Sequence, residues 1–193
     1  MLEVSREELD RRRQTGLDRW DEMWEGVLHM APAPSYEHQR IVDELIAFFL
    51  PLLKRSQRGI LRAGINVFRE RDGNEDYRIP DLTFIAAGNQ KIIVDDGTRG
   101  GGPDAVIEVR SPDDESYDKL PFFAQLGVRE VLVIDRDTKR PEVFRLAGRQ
   151  YLAVAAERDG WVTSQVLGAR FRPVDGPRLA VEDLAEPAVR TEI

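Results

Sequence analysis

The chain has 193 residues, of which 41% are hydrophobic and 33% are charged, with no cysteine and a formal net charge of −7. The absence of cysteine excludes disulfides, thiolate nucleophiles and cysteine-ligated zinc or iron–sulfur centres. We expect a chain of this length to form a single domain, residues 1–193, with its own hydrophobic core. Proteins that bind nucleic acid nonspecifically usually carry a basic excess, so an acidic chain would need a local basic patch or metal ions to do so.

The apolar runs are far shorter than the ~20 residues that a membrane-spanning helix needs. The stretch from Leu45 to Leu53, for example, is interrupted by Pro51. The first eight residues carry charges of both signs and do not resemble a secretory signal. We therefore expect a cytoplasmic protein without a membrane partner.

Residues 1–35 predict a helix followed by a hairpin. Ser5 and Glu8 have the spacing of a capping box, which predicts a helix over about 6–14. Residues 20–30 predict two short strands with a turn at Glu25 and Gly26.

The predicted core, residues 36–146, begins with a longer helix. Apolar residues recur at helical spacing over about 36–54, and we expect Pro51 to kink or end this helix. Strand patterns then occupy 60–69 and 77–85, joined by a turn at Asp72-Gly73-Asn74.

A crossover follows in the second half of this core. A compact apolar strand over 104–109, a helix over about 117–126 and a buried strand over 131–134 form a βαβ-like unit. A β meander over 142–167 extends into the C-terminal region, residues 147–193, which ends in a tail from Pro173 to Ile193 with little periodicity.

Glu108 is the first residue with an unusual position for its chemistry. It interrupts the apolar run from Ala105 to Val109, and charged side chains are rarely buried unless they are paired or bind a metal. Side chains alternate along a strand, so Glu108 and Arg110 share one face. An ion pair with Arg110 or another cation is one explanation, and a metal-binding or catalytic role is the other.

Asp81 is a second carboxylate within an apolar strand, directly after Pro80. Proline removes a hydrogen-bond donor, so the strand is bulged or at an edge at this point. A strand-end aspartate with a structural role is one explanation. If the strands of Asp81 and Glu108 are neighbours, however, the two carboxylates converge into a hard oxygen site that suits Mg²⁺ or Mn²⁺.

Two cations accompany these acids. Lys119 lies near the start of the helix after the Glu108 strand and can point back over the end of that strand, whereas Arg110 follows Glu108 by two residues. Paired carboxylates, a metal ion and a cation suit hydrolysis of a phosphodiester, because the metal activates water and the cation stabilises charge in the transition state. Lys119 could also deprotonate the water if its pKa were depressed.

Other acids and the two histidines carry weaker signals. Glu25 and Glu44 could add a carboxylate near a metal, and His29 and His38 could act as acid or base. Their predicted positions, at a turn, on a helix face and at element ends, are more typical of solvated charges and structurally satisfied histidines.

The order of these segments resembles a known protein family. Pro80-Asp81, followed 27 positions after Asp81 by Glu108-Val109-Arg110, looks like the PD-(D/E)xK signature of restriction-endonuclease-like nucleases. More specifically, the chain is similar to a large bacterial family of unknown function described as putative restriction endonucleases. The segments that carry this similarity are 24–32, 37–39, 79–82, 103–112, 117–123 and 126–131.

The resemblance implies an α/β fold with a restriction-endonuclease-like α/β/α core and mixed sheet, an N-terminal helix and hairpin, and a C-terminal β meander. It implies that Asp81 and Glu108 bind Mg²⁺ or Mn²⁺, with the Val109 carbonyl as a further ligand. The superfamily places a lysine where this chain has Arg110, which stays protonated and cannot be a general base. We therefore assign the lysine role to Lys119.

These inferences predict a Mg²⁺-dependent endonuclease that hydrolyses DNA, with Asp81, Glu108, Lys119 and Arg110 as catalytic residues. The acidic net charge and Arg110 favour an alternative, a catalytically inactive binding or interaction module that keeps the nuclease fold. Hydrolysis of a smaller phosphate ester is a third hypothesis. DNA is the expected partner, and a homodimer is compatible with this class, in which double-strand cutters often work in pairs.

Overall fold

A computed structural model describes residues 6–30, 32–70, 76–112 and 114–193. Ser5 of the predicted capping box and the predicted turn at Asp72-Gly73-Asn74 lie outside the described residues. Within them, no helix is long and apolar enough to cross a membrane.

The described residues form three α-helices, three short 3-10 helices and sixteen strands. The α-helices are α1 (Arg6–Thr15), α2 (Tyr36–Ser56) and α3 (Leu120–Gln125), and the 3-10 helices are Leu17–Trp20, Ala87–Ile92 and Ser116–Lys119. The strands are β1 (Glu22–Trp24), β2 (Val27–His29), β3 (Gly59–Ala63), β4 (Asn66–Phe68), β5 (Tyr77–Arg78), β6 (Leu82–Ala86), β7 (Ile93–Val94), β8 (Gly97–Thr98), β9 (Ala105–Arg110), β10 (Glu130–Asp135), β11 (Pro141–Ala147), β12 (Gln150–Ala153), β13 (Val162–Ser164), β14 (Ala169–Val174), β15 (Arg178–Asp183) and β16 (Arg190–Glu192).

A mixed six-stranded sheet in the order β12-β11-β10-β9-β6-β3 forms the centre of the molecule. Only β9 and β10 run parallel within this sheet, and the crossover between them carries α3. Helix α2 packs on the face that holds Ile107 and Val109, whereas α3 packs on the face that holds Val106 and Val133. The predicted α/β/α layering around a mixed sheet is confirmed.

The strands predicted over 60–69 and 77–85 are each broken in the middle. Their outer parts, β4 and β5, belong to a second, smaller sheet in the order β2-β1-β5-β4-β8-β7. The break falls at Gly64 on one strand and at 79–81 on the other, where the Gly64 N–H donates to the Asp81 carbonyl at 3.2 Å. Gly64 has φ +56°, and a Cβ there would lie 2.9 Å from the Trp20 ring, which explains why glycine occupies this pivot.

The C-terminal region forms strands to its end, which corrects the prediction of an irregular tail over 173–193. Strands β13 to β16 make a four-stranded antiparallel sheet. Phe171, Leu179, Val181 and Ile193 join the same core cluster as α2. Strand β15 shows no clear polar–apolar alternation in the sequence, because Glu182 is buried together with its apolar residues. The Glu182 carboxylate accepts a hydrogen bond from Arg170.

The first turn of helix α2 is held in place by an N-cap and by contacts with the turn between β10 and β11. Ser35 is the N-cap, with its Oγ accepting from the His38 N–H at 3.2 Å. Pro51 does not end the helix, which continues to Ser56. Glu37 accepts from Arg40 and lies 2.7 Å from Nζ of Lys139, in the turn between β10 and β11.

We predict that Phe171→Ala lowers the free energy of unfolding by about 3–5 kcal/mol. Phe171 is fully buried and lies 6.5 Å, centroid to centroid, from the Phe49 ring of α2. Urea denaturation measures the change. Leu152→Ala is the control, because Leu152 is 61% exposed and its truncation should change stability by less than about 0.5 kcal/mol. A parental midpoint for Phe171→Ala would show that the C-terminal sheet is not part of this core.

We predict a pH-dependent contribution from Glu37. Hydrogen bonds from Arg40 and Lys139 lower the pKa of Glu37 from 4.5 to about 2, so its stabilisation is present above the ordinary pKa and is lost as the pH falls towards 2. The side chain is 38% exposed, so Glu37→Gln should cost at most about 1 kcal/mol at pH 7. Thermal unfolding between pH 7 and 3 should show this difference shrinking; a difference that widens with acid would contradict the assignment.

Candidate active site

The register of β6 and β9 brings Asp81 and Glu108 together. Leu82, the first residue of β6, lies opposite Ile107. When this antiparallel register is continued by one residue, Asp81 lies opposite Glu108. The Asp81 Oδ2 accepts a hydrogen bond from the Val109 N–H at 2.7 Å. Two carboxylates that are 27 residues apart in the sequence are therefore neighbours at the end of two central strands.

Glu108 is only 3% exposed and is incompletely satisfied. Its Oε2 lies 3.3 Å from Nζ of Lys119, while its Oε1 is buried and has no hydrogen-bond partner. Burial raises the pKa of Glu108 well above its ordinary value, and the nearby Asp81 and Glu22 add to this shift while Lys119 opposes it. The Glu108 carboxylate thus has one buried oxygen, Oε1, with neither a cation nor a hydrogen-bond donor bound to it among the described residues, which is costly when the carboxylate is charged.

Lys119 lies between two carboxylates. Its Nζ is 2.9 Å from Oε1 of Glu22 and 3.3 Å from Oε2 of Glu108. Burial alone would lower the pKa of Lys119, but Glu108 and Glu22 outweigh it and raise this pKa above its ordinary value. The two carboxylates therefore favour the ammonium form of Lys119 and do not favour the predicted option of a neutral lysine that deprotonates water.

A short loop after β9 fixes the position of Lys119. Asp114 accepts from the Ser111 N–H at 2.6 Å and from the Ser116 N–H at 3.0 Å. The 3-10 helix Ser116–Lys119 then turns the chain back over the end of β9 and leads into α3. The local turn chemistry thus places the ammonium above the Glu108 carboxylate.

Glu22 is a site residue that the sequence prediction missed. It is buried in β1, where Oε1 accepts from the Ile79 N–H and Oε2 accepts from Trp24 Nε1, both at 2.7 Å. Its signal was available, because Glu22 precedes the apolar pair Met23-Trp24 in a short strand, as Glu108 interrupts β9.

His38 also lies at the site, although its position near a helix start favoured a structural role. Its Nε2 is 3.2 Å from Oδ2 of Asp81, and its Nδ1 is buried without a hydrogen-bond partner. This contact holds the Asp81 carboxylate in one orientation.

The remaining predicted residues lie elsewhere. Arg110 binds Asp135 at 3.1 Å, and its guanidinium lies 5.3 Å from the centroid of the Tyr117 ring. It does not line the cavity in front of Glu108. Glu25 pairs with Arg69, and Glu44 is exposed on α2. Lys119 therefore supplies the cation that faces Glu108.

A cavity of about 800 Å³ opens in front of these side chains. Both positive and negative groups line it, but the acids are in excess. Its ionisable lining residues are Glu22, His29, His38, Asp81, Glu108, Asp114, Glu115, Lys119 and Arg136. The lining favours the binding of a cation together with a substrate that brings its own negative charge.

The carboxylates at the site are hard oxygen donors of the kind that Mg²⁺ and Mn²⁺ prefer. Among the described residues, no three histidine, aspartate or glutamate side chains are arranged to hold a metal ion. The unpartnered Oε1 of Glu108 and the adjacent Asp81 carboxylate nevertheless fit a magnesium-type ion, which uses one or two carboxylates and keeps several waters. The Val109 carbonyl stays a prediction as a further ligand.

Comparisons with known proteins agree with this fold. The model of the family Uma2, described as "Putative restriction endonuclease", matches residues 6–176. A crystal structure of a putative nuclease belonging to DUF820 from Anabaena variabilis ATCC 29413 is similar with a TM-score of 0.60 and 18% sequence identity. The match covers 76% of this chain and 82% of that chain. No curated protein matches the chain.

We predict that His38→Ala weakens Mn²⁺ binding about 10- to 100-fold, because Asp81 loses the group that orients it. Isothermal titration calorimetry measures the affinity. The matched control is His29→Ala: His29 is the only other histidine and is bound to Glu115 rather than to Asp81. An unchanged affinity in His38→Ala, with the fold intact by circular dichroism, would contradict this positioning role.

Proposed function

The chain belongs to the Uma2 family of restriction-endonuclease-like proteins, and we propose that it is a metal-dependent endonuclease that hydrolyses DNA phosphodiester bonds. The observation that carries the proposal is the juxtaposition of Asp81, Glu108 and Lys119 at the end of β6 and β9, with one carboxylate oxygen of Glu108 buried and unpartnered.

We assign each residue a role from its contacts. Asp81 and Glu108 would hold Mg²⁺ or Mn²⁺, which supplies an activated water and neutralises phosphate charge when bound. Lys119, as an ammonium ion, would donate to a phosphate oxygen and stabilise the negative charge that develops on it. Glu22 binds Lys119 at 2.9 Å and holds it over the site, and His38 orients Asp81 from the side of α2.

Arg110 has a supporting role in this proposal. It occupies the position where the superfamily signature has lysine, but its contact with Asp135 directs its charge along the sheet and away from the cavity. Its ion pair joins the ends of β9 and β10, which hold Glu108 and its neighbours in register. Replacement of the signature lysine thus moves the cation to Lys119 rather than removing it.

One observation favours the alternative function, a nuclease-fold module that binds a partner without catalysis. Lys119 already neutralises part of the charge on Glu108 and Glu22, and an ion pair can substitute for a metal as a structural element. Metal titration separates the two functions, because the catalytic site requires Mg²⁺ or Mn²⁺ to bind at Asp81 and Glu108, whereas the ion pair requires none.

We predict that the protein cleaves DNA in Mg²⁺ or Mn²⁺ and that Asp81→Asn reduces the rate by about 100-fold or more, since the metal would lose one of its two carboxylate ligands. Cleavage of end-labelled DNA on gels measures the rate, with EDTA as the blank. Asp95→Asn is the matched control, because Asp95 is exposed in a loop outside the cavity.

The outcomes distinguish the hypotheses. Equal rates in Asp81→Asn and the parent would refute the assigned site. Binding of Mn²⁺ without cleavage of DNA or RNA, but with hydrolysis of a small phosphate ester, would establish the third hypothesis. A protein that neither binds the metal nor cleaves any of these substrates would support the binding module.

A further inference from the structure

Four side chains form a stacked column beside the catalytic cavity. The His29 ring lies on the Trp24 ring, with centroids 4.1 Å apart and planes inclined by 17°. The Arg78 guanidinium lies over both the Trp24 and the Phe122 ring, 4.2 Å from each centroid. Alternating rings and guanidinium planes attract one another, so the column is a stable unit.

Hydrogen bonds fix the column in place. Arg78 is buried and its Nη1 donates to Asp76 Oδ1 at 2.9 Å and to the Met23 carbonyl at 2.8 Å. Trp24 Nε1 donates to Glu22, the carboxylate that also holds Lys119. The column is therefore linked through Glu22 to Lys119, and its rings are held in position before any ligand binds.

His29 forms the end of the column at the cavity. Its Nδ1 lies 2.8 Å from Oε2 of Glu115, which sets the plane of the ring, and its side chain is 26% exposed. His29 lines the catalytic cavity and also a second cavity of about 320 Å³. Among the described residues Trp24 is its only ring partner.

We propose that His29 is a stacking platform for the nucleobase next to the phosphate at the metal site, an inference that rests on the proposed nuclease function. A flat, fixed ring at the end of a stack offers the same surface that nucleic-acid-binding proteins use to hold an unpaired base. The site therefore selects single-stranded or locally unpaired nucleic acid, because a base inside a duplex must first leave its own stack.

The charge of the protein supports this role. The cavity lining carries more acids than cations, and the whole chain has a net charge of −7, so phosphate contacts alone give little affinity. Stacking does not depend on charge and strengthens binding by about 5- to 100-fold per base. The column supplies a neutral source of affinity where the electrostatics are unfavourable.

The test compares binding of a short single-stranded oligothymidylate with binding of an abasic oligodeoxyribose phosphate of the same length and charge, by fluorescence anisotropy in EDTA. The parent should bind the oligothymidylate about 5- to 100-fold more tightly. His29→Ala should abolish this preference, whereas His29→Phe, which keeps a flat ring, should retain it. Pairing the oligothymidylate with its complement should weaken its binding.

Three results would overturn the inference: equal affinities of the parent for the two probes, binding of neither, or a preference that survives in His29→Ala. Cleavage in Mn²⁺ is measured separately on the same proteins. Cleavage without base-dependent binding overturns the platform and leaves the nuclease intact; base-dependent binding without cleavage overturns the nuclease and leaves the platform.

Discussion

Three carboxylates around one buried ammonium ion are the interaction on which the rest of the site depends. Glu22 and Glu108 contact Lys119, Asp81 lies beside Glu108 on the neighbouring strand, and the pKa of Glu108 is raised chiefly by burial and further by its acidic neighbours. One ammonium ion is too little positive charge for three neighbouring carboxylates, so ionising Glu108 beside the other two is costly. A divalent cation at Asp81 and Glu108 would remove this imbalance, which is why the proposed function and the electrostatics point the same way.

The sequence predicted the acids of this cluster because they violate a simple rule. Asp81 and Glu108 are charged residues inside apolar strands, and the structure places their strands side by side at that level. Glu22 breaks the same rule but lies in a hairpin of two three-residue strands, where no periodicity indicates burial. His38 was considered as an acid or base but assigned a structural role, because its relevance comes only from the tertiary contact of α2 with Asp81.

The fold was predictable where one pattern dominated a whole element. Helix α2 and the parallel pair β9 and β10 were recognised because their apolar residues form long, regular runs. The pivot at Gly64 and the last strands of the C-terminal sheet were not, because a single glycine and paired buried acids such as Glu182 interrupt the local pattern. In each case a tertiary contact decides what the local sequence leaves open.

The unpartnered oxygen of Glu108 weighs against a purely structural explanation of the cluster. A binding module would gain stability by replacing buried charges with apolar side chains of similar volume, since buried ion pairs are often no more stable than such replacements. Here the chain instead keeps Glu108 97% buried beside an accessible cavity, with Oε1 unsatisfied. Such local cost is typical of functional sites, where the missing partner arrives with the ligand. The proposed nuclease supplies that partner as a metal ion, whereas the inactive module supplies none.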